Sequence, residues 1–118
     1  MQERAFRSPS QYIQGQGVLK NLYRFSAELG KNCLLILSKG GVARLKKSLD
    51  ENEASAPGSL FHRIGFDGEC CMAEIQRLVN ISQTLGCDVI VGIGGGKVLD
   101  TAKAVAHFAN LPVIIAPT

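Results

Sequence analysis

Apolar residues fall along this chain in two alternating patterns. Cys33-Leu34-Leu35-Ile36-Leu37, the stretch Asp88-Val89-Ile90-Val91-Gly92-Ile93 and Val113-Ile114-Ile115-Ala116 are near-continuous apolar runs bounded by polar or glycine residues. Such runs fit strands covered on both faces, as in a parallel sheet. Leu60 to Phe66 is a further strand candidate. Between these runs the apolar residues recur at helical spacing. Val18, Leu19, Leu22, Phe25 and Leu29 predict a helix over 15–29, with Gly30 placed as its C-cap glycine. A second amphipathic stretch covers 42–49. A third covers 72–85 with Ile75, Leu78, Val79 and Ile81 inward, closed by Gly86. A fourth covers 97–109 with Leu99, Ala102, Val105, Ala106 and Ala109 inward. Ser38-Lys39-Gly40-Gly41 and the polar stretch 52–59, with Pro57-Gly58, predict loops, and Asp67-Gly68-Glu69 a turn. Ser8-Pro9-Ser10 predicts a turn between extended pieces at 5–7 and 11–14, which together make an N-terminal hairpin.

After that hairpin, helices and strands alternate four times, which implies an α/β fold with a parallel sheet and helices on its faces. A length of 118 residues suits one domain and leaves little room for a separate substrate domain. Basic residues are scattered, the densest cluster being Arg44, Lys46 and Lys47. With 6% aromatic residues and no Trp, the basic stripe interleaved with aromatics that marks a nucleic-acid binder is missing. No apolar run approaches transmembrane length, and Met1-Gln2-Glu3-Arg4 lacks the apolar stretch of a signal peptide. Cys33, Cys70, Cys71 and Cys87 match no C-x-x-C pattern. Cys33 and Cys87 adjoin apolar runs and are expected to be buried. The adjacent Cys70-Cys71 suits a reduced compartment. The expectation is a cytoplasmic protein with no nucleic-acid or membrane partner.

Chemistry concentrates at Gly92-Ile93-Gly94-Gly95-Gly96-Lys97, where a strand runs straight into glycines and then a helix. In open parallel sheets, ligands bind beyond the carboxyl ends of the strands. Glycine allows a sharp turn and close approach of the backbone, and the following helix offers unpaired N–H groups and a partial positive charge. Together these suit a pyrophosphate, with Lys97 adding a point charge. The spacing is neither G-x-G-x-x-G nor a P-loop, since Val98 stands where the P-loop has Ser or Thr. A tight turn whose glycines serve packing alone is the other reading.

The run Gly92 to Lys103, Gly-Ile-Gly-Gly-Gly-Lys-Val-Leu-Asp-Thr-Ala-Lys, resembles the cofactor signature of the iron-containing (group III) alcohol dehydrogenase family. Ser8 to Gly15, Phe66-Asp67-Gly68-Glu69-Cys70, Ala104 to Phe108 and Leu111 to Thr118 resemble other segments of that family, and the first two favour its glycerol branch. The resemblance is weak over 39–60. It implies a parallel Rossmann-like sheet with helices on both faces, preceded by the β-hairpin: a dehydroquinate synthase-like N-terminal domain. Residues 1–118 would be the dinucleotide-binding domain. The helical metal-binding domain, absent from this chain, would carry the zinc or iron on one Asp and two His. The implied activity is oxidation of glycerol to dihydroxyacetone with NAD by a homo-oligomer when full length. A polyol is then the small-molecule substrate. Neither His62 nor His107 matches a family ligand, so no catalytic or metal residue is expected here, and the chain alone is expected to be inactive.

Carried over residue by residue, Gly96 and Lys97 match pyrophosphate-contacting positions and Gly94 and Gly95 the rest of the glycine turn. Asp100 and Thr101 match the Asp-Thr pair of the following helix, where Asp100 is equally accounted for by the helix N-terminus. Thr118 matches a cofactor-contacting threonine at the next strand end. Ser38 stands where the family has an Asp that accepts from the adenosine ribose. A carboxylate there repels a 2′-phosphate and a serine beside Lys39 does not, so NADP is expected to be tolerated. Alternatives are another polyol dehydrogenase of the same architecture, a dehydroquinate synthase relative, or a non-catalytic truncated remnant. In a remnant, the strand at 113–116 would need a neighbour or lie exposed at an edge.

Overall fold

A computed structural model describes residues 12–14, 19–66 and 68–118. Five strands, all parallel, form one sheet in the order β1-β5-β4-β2-β3, with β1 at Tyr12–Gln14, β2 at Asn32–Ser38, β3 at Leu60–Phe66, β4 at Val89–Gly94 and β5 at Val113–Pro117. The helices are α1 (Leu22–Leu29), α2 (Lys39–Arg44), α3 (Lys46–Ala54), α4 (Met72–Thr84) and α5 (Gly96–Ala109).

Both faces of the sheet are covered, as the unbroken apolar runs require. Leu34, Ile36, Ile90 and Ile115 pack with Leu78 and Val79 of α4 and Ala102 and Val105 of α5. Their neighbours Cys33, Leu35, Leu37, Val89 and Val91 point the other way, into a second cluster with Leu22 of α1 and Leu49 of α3. The alternation of side chains along a strand thus divides one apolar run between two cores. The last strand is no exposed edge: β5 is paired on both sides, with β4 and with β1. The neighbour that this strand was expected to need is supplied by β1.

Several boundaries differ from the sequence expectation. The first helix is not continuous over 15–29: a 3-10 turn at Leu19–Asn21 precedes α1. Gly30 does not end it in the left-handed conformation, since its backbone is extended (φ 170°, ψ −175°). Its lack of a side chain instead admits the carboxylate of Asp88, against which a Cβ would collide. The stretch 38–41 is not a loop. Ser38 caps α2, its Oγ accepting from the Gly41 N–H at 3.0 Å, so both glycines lie in the helix. The helix foreseen over 42–49 is two, broken at Leu45, and α3 runs on past Asn52. Asn52 is buried because its Oδ1 accepts from the Tyr23 N–H and its Nδ2 donates to the Ser48 carbonyl. The hairpin's first arm and turn lie outside the described residues; of its second arm, Tyr12–Gln14 is a strand.

The chain moves outward from β2 to β3, then crosses back to β4 on the other side of β2. This reversal opens a crevice between the carboxyl ends of β2 and β4, the usual ligand position in such sheets.

Candidate functional site

The crevice holds a cavity of about 490 Å³ lined by Ser38, Lys39, Phe66, Gly68, Gly95, Gly96, Lys97 and Val98. Three strand ends contribute: β2 through Ser38 and Lys39, β3 through Phe66 and Gly68, and β4 through the glycine turn into α5. Register explains the meeting, since Ser38 lies opposite Phe66 on β3 and Leu37 opposite Ile93 on β4.

The glycines divide by role. At Gly92, mid-strand and buried, an added Cβ would stand 2.5 Å from Ala102 Cβ, so this glycine lets α5 lie close on the sheet. Gly94 has φ +145°, a conformation that L side chains rarely adopt, and its carbonyl accepts from the Thr118 N–H at 3.1 Å. Gly95 and Gly96 are different. A Cβ on either meets nothing within 4 Å, so packing does not require glycine there. They face open space at the start of a 14-residue helix whose first hydrogen bond runs from the Leu99 N–H to the Gly95 carbonyl at 3.0 Å. No side chain caps that helix among the described residues. The N–H groups of its first turn therefore face the cavity without an intrahelical acceptor, the arrangement that binds anions. A dinucleotide's pyrophosphate fits this donor set.

Lys97 adds a positive charge at the rim, 70% exposed, with its Nζ 3.4 Å from Glu69 Oε2. Glu69 sits between β3 and α4, in the segment that the sequence marked as a turn and as one of those resembling the family, with no site role. Of the other predicted residues, Thr101 is fully buried and its hydroxyl donates to the Lys97 carbonyl at 2.8 Å, so it braces the first turns of α5 from within. Asp100 is exposed, 4.0 Å from Lys103 Nζ, and does not line the cavity. Thr118 is exposed and contributes its backbone to the end of β4. The structure thus brings together Ser38, Gly95, Gly96 and Lys97, and sets Asp100, Thr101 and Thr118 aside from the cavity wall. Phe66, Gly68 and Val98 were missed as lining residues. The one signal for Phe66 in the sequence is its place at the carboxyl end of a strand, where parallel sheets bind ligands.

Among the described residues no group of three or more His, Cys, Asp or Glu comes together as a metal site. His62, on β3, has its Nε2 buried without a hydrogen-bond partner among the described residues, and His107 is exposed on α5 with its ring edge-on to Phe108. None of the described helices is long and apolar enough to cross a membrane.

The sequence profile of the iron-containing alcohol dehydrogenases matches residues 9–118. The chain belongs to that family. It is 40% identical over 116 residues to a glycerol dehydrogenase of Escherichia coli, covering 98% of this chain and 31% of that protein. It is 39% identical to a glycerol dehydrogenase of Pseudomonas putida, covering 98% of this chain and 32% of that one. In structure it resembles a probable glycerol dehydrogenase from Sinorhizobium meliloti with a TM-score of 0.75 and 35% identity, over 98% of this chain and 31% of the other. The chain therefore spans about a third of the length of the curated relatives it matches.

Proposed function

We propose that this chain is the cofactor-holding part of a glycerol dehydrogenase-like oxidoreductase that uses NAD. The observation that carries this is the open start of α5, where Gly95 and Gly96 are glycines that packing does not require. Space kept clear beside uncapped N–H groups is what a pyrophosphate needs. When bound, a nicotinamide dinucleotide supplies the hydride acceptor. This chain's residues then do the binding and orienting. The N–H groups of Gly96, Lys97 and Val98 and the Lys97 ammonium hold the phosphates, and Ser38 and Lys39 lie toward the adenosine ribose. Thr101 and the Gly94–Thr118 hydrogen bond keep the turn in place. Metal-assisted chemistry on the alcohol is assigned to residues outside 1–118, a reading supported by the 31% of the glycerol dehydrogenase relative that the chain covers. A cytoplasmic setting belongs to this proposal, supported by four cysteines that are all unpaired.

The test is a side chain placed in the open space. Gly95→Leu should leave the chain folded with only a modest drop in the thermal transition, because the backbone there (φ −90°) accommodates any residue and a Cβ meets nothing within 4 Å, while Leu is a poorer N-cap than Gly. The same change should abolish NAD binding in a calorimetric titration. Unaltered affinity in a folded Gly95→Leu chain would place the cofactor elsewhere.

A further inference from the structure

Lys97, a cation at the rim of the cavity, already has a counter-ion. Lys97 Nζ and Glu69 Oε2 are 3.4 Å apart, with the two side chains 70% and 77% exposed. An ion pair this exposed contributes little to stability. The backbone that carries Glu69 is nonetheless held by its neighbours. Gly68, next to Glu69, has φ +97°, a turn conformation that favours glycine. The Cys71 N–H donates to the Glu69 carbonyl at 3.1 Å, and Cys71 in turn accepts the first hydrogen bond of α4, from the Ile75 N–H. On the other side, Arg77 Nη2 donates to the Gly65 carbonyl at 3.0 Å while Glu74 grips the same guanidinium, tying the end of β3 to α4. Glu69 is therefore carried on a turn anchored at both ends, beside the residues that line the cavity.

We propose that Glu69 is a built-in competitor for Lys97: it occupies the cation in the free protein and must yield it to the cofactor's phosphates, thereby lowering the affinity of the site for anions. This rests on the cofactor reading above and sharpens it by naming the residue that limits the grip. A diphosphate that pairs with the Lys97 ammonium would share that cation with the Glu69 carboxylate, 3.4 Å from Nζ. It also loses the part of the Lys97 charge that Glu69 neutralises. At the high effective dielectric of an exposed rim, each such charge pair is worth a modest amount. A doubly charged diphosphate should therefore bind about three- to tenfold more tightly once Glu69 is neutral, and the gain should shrink as added salt screens it. The device favours release: a site that held its dinucleotide with an unopposed lysine would let the oxidised or reduced form go more slowly.

The experiment compares Glu69→Gln, Glu69→Asp and the unaltered chain by titration with NAD, inorganic pyrophosphate and adenosine at low and high salt. Expected are tighter NAD and pyrophosphate binding for Glu69→Gln at low salt, a smaller gain at high salt, and no change for adenosine, which carries no phosphate. Glu69→Asp keeps the charge and should stay near the unaltered chain. Weaker NAD binding by Glu69→Gln overturns the proposal and would make the carboxylate an acceptor for a cofactor hydroxyl. Equal NAD affinity in both forms also overturns it while leaving the cofactor reading intact. Failure of NAD to bind any form removes both.

Discussion

Ser38 joins two roles in one side chain. Its Oγ accepts the Gly41 N–H and so starts α2, and the residue lines the crevice to which the proposed dinucleotide would bring its adenosine ribose. Asp serves as well as Ser at a helix N-cap. Ser38→Asp should therefore keep the fold and add a carboxylate oxygen able to accept from ribose hydroxyls. It would also oppose a 2′-phosphate, since like charges set against each other are costly. The expected outcome is a chain that tolerates NADP before the change and prefers NAD by about tenfold or more after it, read from paired titrations. Equal affinities for the two cofactors in Ser38→Asp would remove Ser38 from ribose recognition. At this scale the sequence was only partly legible. The conformational demand at Gly94 and the packing demand at Gly92 both present themselves as glycine in the string, exactly as the open Gly95 and Gly96 do, and only spatial neighbours tell them apart. Gly30 shows the same limit. Its position one residue after a helix pointed to a cap, and it is the C-cap of α1, its N–H donating to the Ser26 carbonyl, but nothing in the string showed that the Asp88 carboxylate also excludes a side chain there.

Strands β2, β4 and β5 were legible because four or five largely apolar residues in a row have few alternatives to a doubly covered strand. The elements that were misjudged are those where a side chain or a distant partner overrides propensity. Gly40 and Gly41 are poor helix formers, yet the Ser38 cap starts a helix through them. Asn52 is typical of loops, yet burial against the Tyr23 N–H carries α3 past it. The N-terminal ends of the strands form a similar long-range joint. Asp88, just before β4, accepts from the N–H groups of Lys31 and Asn32 at 3.2 and 2.9 Å, and Asn32 Nδ2 donates to the Leu85 and Gly86 carbonyls at the end of α4. Two thiols lie at this joint. Burial, reinforced by the Asp88 charge, pushes Cys33 from 9.0 up to about 12 and Cys87 up to about 11. A raised thiol value means that the folded chain keeps a proton the unfolded chain loses. Their contribution to stability is then full below pH 9.0 and is lost as pH rises through about 11 and 12. Stability measured by denaturant titration should fall between pH 9 and 11. In native protein near pH 8 a thiol reagent should modify the exposed Cys70 and Cys71 quickly, with Cys33 and Cys87 reacting only on unfolding. Rapid labelling of all four would contradict the burial of the two core thiols.

Across the whole molecule, the order β1-β5-β4-β2-β3 matters more to function than any single element, because its reversal at β2 and β4 creates the crevice. The alternation of helices and strands foretold a parallel sheet, but not which strand ends would be neighbours. That is why Phe66 and Gly68 joined the site only once the register was known. Family membership, shown over residues 9–118, takes in the glycine turn and all five strands. The central claim is that the start of α5 holds a dinucleotide through its backbone. Amide chemical shifts of the isotopically labelled chain, followed while NAD is added, test it most directly. The account predicts that the largest, saturable shifts fall on the N–H groups of Gly95, Gly96, Lys97 and Val98, with smaller ones at Ser38 and Lys39. Unmoved resonances at 95–98, with shifts concentrated instead in the separate groove lined by Lys20, Tyr23, Glu51 and Ser55, would contradict it.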